Sequence, residues 1–430
     1  MSDIAEEMKK AQECAQIIKF QPDGKKVSNL QQARTEPNER LKRVFGIDNI
    51  FTNAIDSKRP FIDMVEKLMW RAMKTEGRTE DGDWSDLCHQ ATTFFKEYLE
   101  RPETDTIRLA GLTQYMVLKL SLCYLFEGAS EALATSETHF DDTKYIGRRI
   151  NELWIESKRA DGAQLPEWKE EEKLHVALRR ATSASQATTA IDPMTPKQNP
   201  MNLLLPAYET MWRVVLRCFL EVGHRDVPSA AAWIATMRGY VEDLRHSTCT
   251  PNQAFHKETT TNGKVRPAEI VKEALRLYPP TRRVHRSFDG KQVAANFEEC
   301  HRFEILGGSD PSAYRPERWQ TIAYPERQKF YEQAARPEED GAFVGYKKAK
   351  DGLKAAEEKL GYMPFAYFCA ADHPATKEFA SKMIALLVGV LCEGLDGGWE
   401  LEHAASLPEM GVPLDSDRAA YEDLKLRRKG

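Results

Sequence analysis

The 430 residues suffice for two or three average domains or for one large one. Hydrophobic residues at 41% and charged residues at 30% describe a chain with a substantial core and a wetted surface, which excludes a disordered or low-complexity protein. The 61 Lys and Arg are interspersed with 66 Asp and Glu for a net charge of -5, so no basic stripe grips nucleic acid. The eight cysteines are scattered, without the Cys-x-x-Cys spacing of zinc or redox sites, and read as reduced core residues of an intracellular protein. The opening stretch MSDIAEEMKKAQECAQ is polar and helix-prone. It has no signal-peptide core and no run of about 20 apolar residues able to span a membrane, so a cytoplasmic location is expected.

Apolar residues at three- and four-residue steps predict helices over 62–73, 87–99 and 109–126, with another over 141–158. Residues 181–200, rich in Ser, Thr, Ala and Pro, read as a loop. A strongly apolar helix follows over 201–222. Residues 246–267 form a second expected loop, closed by a helix that starts at Pro267, since proline suits the first helical turn. Short strands are expected at 284–288 and 292–295. The charged stretch 320–361 reads as a surface insertion with a solvated helical face. A last long helix covers about 375–393, and Gly397-Gly398-Trp399-Glu400-Leu401 suggests a terminal hairpin. No internal repeat is visible, and the chain reads as one large domain over residues 1–430.

The most informative stretch is VKEALRLYPPTRRVHR, residues 271–286. Glu273 and Arg276 are three apart, on one helix face, and can form an ion pair. The double proline Pro279-Pro280 stops the helix abruptly. Downstream, SAYRPERW (residues 312–319) offers Arg318 as the third member of a buried triad, which a buried ion pair needs. Glu-x-x-Arg, Leu-Tyr-Pro-Pro and Arg-Pro-Glu-Arg-Trp at this spacing resemble the corresponding segments of cytochromes P-450. LPAYETMWR (residues 205–213) resembles that family's oxygen-activating helix, with Glu209 and Thr210 at the acid–alcohol pair. His301-Arg302 and MIALLVGVL (residues 383–391) add a likeness to fungal secondary-metabolism members. The resemblance implies a mainly α fold, a large helical domain with a small β region, and a structural role for Glu273, Arg276 and Arg318.

The last motif departs from the family. Its haem loop reads Pro-Phe-Gly-x-Gly-x-(Arg/His)-x-Cys, whereas residues 364–375 here read PFAYFCAADHPA. Counting forward from Pro364 puts Asp372 at the cysteine position; counting back from Phe379-Ala380 puts His373 there. Ala366 and Phe368 replace two glycines that let backbone approach a ligand closely. The expectation is therefore no resident cofactor and no metal. Haem is the fallback, with Cys369 (three positions early) or His373 as its ligand.

The expected function is a haem-free enzyme of natural-product biosynthesis that closes rings in a terpenoid or polyketide. The alternatives are a haem-dependent oxidative enzyme and a non-catalytic binding or partner protein. Glu209, Thr210, Arg283 and His285 are the catalytic candidates. Tyr208, Thr281, Val284 and Arg286 are the substrate-binding ones. The resemblance places basic residues after the double proline on haem propionates, so without haem Arg283, His285 or Arg286 could receive a substrate carboxylate instead. Trp84 and Trp212 read as core. The expected partner is a hydrophobic small molecule, possibly carrying a carboxylate; no nucleic acid, membrane span or redox partner is expected.

Overall fold

The computed structural model describes residues 4–53, 58–72, 84–101, 105–126, 128–129, 133, 138–158, 164–183, 191–258, 265–322, 325–334, 342–365, 376, 378–415 and 418–429. Its centre is a bundle in which the last helix, Phe379–Leu395, packs against Trp84–Glu100, Met211–Gly223 and Ala230–Arg245. Leu109–Leu125 lies against the same bundle and is buried along almost its whole length, as an all-round apolar helix must be. Close approach explains the glycine inside MIALLVGVL. A Cβ on Gly389 would stand 2.6 Å from the Met237 carbonyl oxygen, so only glycine lets the two helices meet there. No helix among the described residues is long and apolar enough to cross a membrane.

Two small antiparallel sheets flank the bundle. Strand β2 (Arg283–Phe288) turns into β3 (Lys291–Asn296) through Asp289-Gly290, both with positive φ, the backbone a two-residue hairpin needs. The other sheet joins β1 (Thr106–Arg108), β4 (Trp399–Leu401) and β5 (Lys425–Arg428) in the order β1-β5-β4. The terminal hairpin read at 397–401 is therefore corrected: β4 pairs with a strand more than twenty residues on, Leu401 opposite Leu426.

The helices expected at 62–73, 87–99, 109–126 and 141–158 are Lys58–Ala72, Trp84–Glu100, Leu109–Leu125 and Thr138–Glu156. The loop read at 246–267 contains a short helix, Pro251–His256, started by a capping box between Thr250 and Gln253. The helix read over 201–222 is interrupted: Leu205–Glu209 forms a π turn between Met201–Leu204 and Met211–Gly223. Proline is the cause, since Pro206 has no N–H to give and its ring crowds the preceding turn. The charged stretch folds as Pro325–Ala334 and Ala342–Lys359, which share a small core of Phe330, Ala334, Tyr346 and Leu353. Lys272–Glu357 and Lys19–Glu358 ion pairs tie it to the body.

Glu273 lies fully buried in helix Pro267–Leu277 and receives five donors. Arg276 donates through Nε at 2.9 Å and Nη2 at 2.8 Å, and Arg318 Nε at 2.8 Å. The Trp319 indole and the Arg315 amide each donate at 3.0 Å. The leftover guanidinium hydrogens go to carbonyls: Arg276 to His301, Pro311 and Ala313, and Arg318 to Gly307, Asp310 and Ala313. His301 extends the network. Its Nδ1 donates to the Arg276 carbonyl and its Nε2 accepts from the Met363 amide at 2.8 Å, so the neutral ring is required.

Replacing Glu273 by Gln strands two buried cations and is expected to cost about 3–5 kcal/mol in urea denaturation. A loss under about 1 kcal/mol would mean the triad behaves like a surface pair. Burial pushes the His301 imidazole down to about 3, so below its ordinary 6.5 the unfolded chain takes a proton that the folded one refuses. Stability is expected to fall as pH drops from about 6.5 towards about 3. A His301→Asn variant should show a smaller difference in urea midpoint between neutral and mildly acidic buffer.

Candidate functional site

The π turn of the central helix sends three consecutive side chains in different directions. Tyr208 is fully buried; its hydroxyl accepts from Asn151 Nδ2 at 3.4 Å and lies 2.9 Å from where a Cβ on Gly147 would be. It packs against helix Thr138–Glu156. Glu209, also buried, is ion-paired with Arg418, and Arg213 Nη2 stands 3.7 Å off. Thr210 Oγ1 donates back to the Pro206 carbonyl, four residues earlier, at 2.8 Å. The acid and the alcohol are thus both engaged, one with a guanidinium and the other with backbone.

Around Glu209 stands a group of cations. The Trp154 ring has Arg418 4.8 Å, Arg40 5.1 Å and Lys158 5.4 Å from its centroid. Arg40 donates to Ser157 Oγ, and Ser157 donates to the Trp154 carbonyl, which fixes Arg40 over the indole. Burial and the neighbouring cations hold the Lys158 ammonium down to about 8, and burial holds Arg418 down to about 10. Two donors here are buried with no partner, Arg213 Nε and Trp154 Nε1. None of Arg40, Trp154, Lys158, Arg213 and Arg418 was singled out by the sequence, because only proximity across more than two hundred residues makes them a group.

The alternation of β2 splits the other candidates. Arg283 and His285 point outward and are exposed, opposite Asn296 and Ala294, so two of the four catalytic candidates sit on a solvated strand face. Burial and the cations Arg283, Arg40 and Arg286 hold His285 below its ordinary pKa. Val284 packs on the N-terminal helix Ile4–Ile18, in a cluster with Ala11, Ala15 and Ile18, and Thr281 is half-buried. Arg286 is buried, 4.5 Å over the Phe20 ring and beside Arg34 of helix Leu30–Thr35. Arg34 Nε and Nη2 and Arg286 Nε have no hydrogen-bond partner. Burial and the Arg34 charge hold Arg286 down to about 10.

Cys369 and His373 lie outside the described residues. The flanks of their loop are described. Glu378 begins the last helix; burial would raise its carboxyl, but Lys350 at 2.6 Å and His256 at 2.9 Å outweigh that and hold it well below the usual range. Phe365 and Glu378 both line a cavity of about 100 Å³, with Lys272, Tyr331 and Glu357 on its other walls. A second cavity, of about 480 Å³, lies between Tyr98, Tyr115 and helix Thr138–Glu156. None of the eight catalytic and substrate-binding candidates lines either cavity.

No family profile and no curated protein matches the chain. Solved structures do. The retinoic acid-bound cyanobacterial CYP120A1 superposes with a TM-score of 0.54 at 16% identity, over 90% of this chain and 82% of that one. The cytochrome P450DA heme domain matches over 97% of this chain and 85% of its own, at 13% identity and a TM-score of 0.47. P450 OxyD, involved in the biosynthesis of vancomycin-type antibiotics, matches at 13% identity over 89% and 79%, with a TM-score of 0.44.

The fold is that of the cytochromes P450. Haem is the group such a fold implies, and the residues here suit one part of it. The orphaned Arg34 and Arg286 donors are fitted to carboxylates. Seven of the eight cysteines are among the described residues, and Cys369 is not. Burial raises the thiols of Cys88 and Cys218, to about 11 and about 12, and that of Cys392, all within the helical bundle. Cys14 and Cys300 face each other at 3.5 Å on the far side of β3, and His301 has both ring nitrogens in use.

An Arg286→Met substitution removes a buried cation that has no acid partner, so it is expected to leave the urea midpoint unchanged or to raise it. A large drop would show that the guanidinium is compensated in the purified protein.

Proposed function

We propose that this P450-fold chain is an enzyme whose chemistry does not pass through a thiolate-ligated haem. It takes an apolar precursor of the terpenoid or polyketide kind and closes a ring within it, as in a cycloaddition. The observation that carries this reading is the 364–375 loop. Both counts place a residue other than cysteine at the ligand position, and both glycine positions are filled. Ring closure of a bound polyene needs no electron donor. Holding the reacting ends in a near-attack conformer lowers the barrier through proximity and orientation. A cation aimed at a carbonyl of the substrate polarises it further, and the buried cations around Glu209 are the nearest such groups to the π turn.

A second reading rests on Arg34 and Arg286, whose orphaned donors suit the acid groups of a haem as well as those of a substrate. It makes the chain an oxidative haem enzyme with Cys369 or His373 as an unusual ligand.

An absorption spectrum of protein expressed with haem precursor separates the two. We expect no Soret band, and turnover of a candidate polyene without reductant. A Soret band that shifts, on reduction under carbon monoxide, to the position of thiolate-ligated haem would sink the first reading and assign Cys369; the position typical of imidazole ligation would assign His373.

A further inference from the structure

We propose that Arg40, Lys158, Arg213 and Arg418, grouped around Trp154 and Glu209, form a binding site for the oxyanion head of an otherwise apolar substrate, a carboxylate or a phosphate ester. This deepens the reading of the chain as an enzyme for small apolar molecules by naming the head group they carry.

Charge balance is the first argument. Among the described residues four cations share this site, and Glu209 is the one carboxylate they face. Elsewhere in the core the balance is closer: Glu273 meets two guanidiniums that also make six bonds to backbone carbonyls between them, and Glu221 meets Arg217, Arg225 and the Tyr278 hydroxyl, with Arg217 Nε left over. A group of cations held within about one ring of each other repels itself in a medium of low dielectric. An oxyanion among them removes that cost, and guanidinium binds carboxylate and phosphate with two parallel hydrogen bonds.

Unmet donors are the second argument. Arg213 is 4% exposed, and its Nε is buried without a partner, as is Trp154 Nε1. A buried donor left unsatisfied costs free energy unless a ligand takes it. Arg213 belongs to the central helix and Trp154 to helix Thr138–Glu156, and Arg213 Nη1 is already taken by the Asp415 carbonyl at 3.0 Å.

Access is the third. Arg213 and Arg418 form the buried floor, while Arg40 is half-buried and Lys158 is exposed, so the cations run from the surface to the π turn. Trp154, half-buried among them, offers an apolar face next to the charges, the combination an amphipathic acid needs.

Isothermal titration of the full chain with dodecanoate, dodecyl phosphate and dodecanol tests the site. At least one of the two acids is expected to bind tenfold or more tightly than the alcohol, and which one does assigns carboxylate or phosphate. The double variant Arg40→Gln/Lys158→Gln, altered at the mouth and not in the buried floor, should bring the acids down to the level of the alcohol. Arg148→Gln, an exposed control paired with Glu152, should change nothing. Affinity for the preferred acid should fall as pH rises through about 8, where Lys158 loses its proton beside Arg40, Arg213, Arg418 and Glu209, and should persist in Lys158→Arg. Equal binding of acid and alcohol, no binding of either acid, or unchanged affinity in the double variant would overturn the proposal. A Soret band with acid binding intact would sink only the haem-free reading.

Discussion

An ionised carboxylate with no exposure to water must be met by donors on every side, and Glu273 is such a group. Its five donors come from helix Pro267–Leu277 itself and from the 315–319 segment, and the arginines it neutralises hold the carbonyls of 301–313 in turn. His301 passes the constraint on by accepting from the Met363 amide. The start of the loop at Pro364 is therefore set by the same network that anchors the helix preceding β2. The other end of the loop is set by a second buried carboxylate, Glu378, clamped by His256 and Lys350. The two ends of the segment that departs most from the family are held by charges that the fold cannot release cheaply.

The buried charges fall into two kinds, and the difference bears on function. Glu273 is surrounded by donors that match it, and Glu221 takes Arg217, Arg225 and the Tyr278 hydroxyl, with Arg217 Nε left over. Arg34, Arg286 and Arg213 also retain unmatched N–H groups, and their nearest charged neighbours include other cations. A chain under no demand beyond folding would do better with apolar residues in such places, since replacing buried ions by well-packed hydrophobic side chains is often neutral or stabilising.

The legible part of the sequence was the part whose interactions are local. Glu273 and Arg276 are one helical turn apart, and Pro279-Pro280 ends that helix within the same motif, so the ion pair and the strand after it could be read directly. Helix Ala230–Arg245 was also legible, because Trp233, Met237, Tyr240, Val241 and Leu244 repeat at steps of three and four, yet it escaped notice between two stronger signals. The strand alternation that turns Arg283 and His285 outward was hidden because basic Arg286 shares the inner face of β2 with Val284 and Phe288. Tyr208 looked like a pocket residue because it adjoins Glu209, and only the near contact with Gly147 shows it wedged between helices. The partners of Glu209 come from residues 40, 154–158 and 418, and no spacing rule joins those stretches.

Arg40 connects the two regions of excess charge. It stacks on Trp154 beside Glu209, and its field also reaches His285 on the outer face of β2. Pro206 opens the central helix beside Glu209, and the Thr210 hydroxyl bonds the Pro206 carbonyl. What remains available to a ligand at the bend is charge rather than backbone. The cations beside Glu209 stand at that bend, next to the half-buried ring of Trp154.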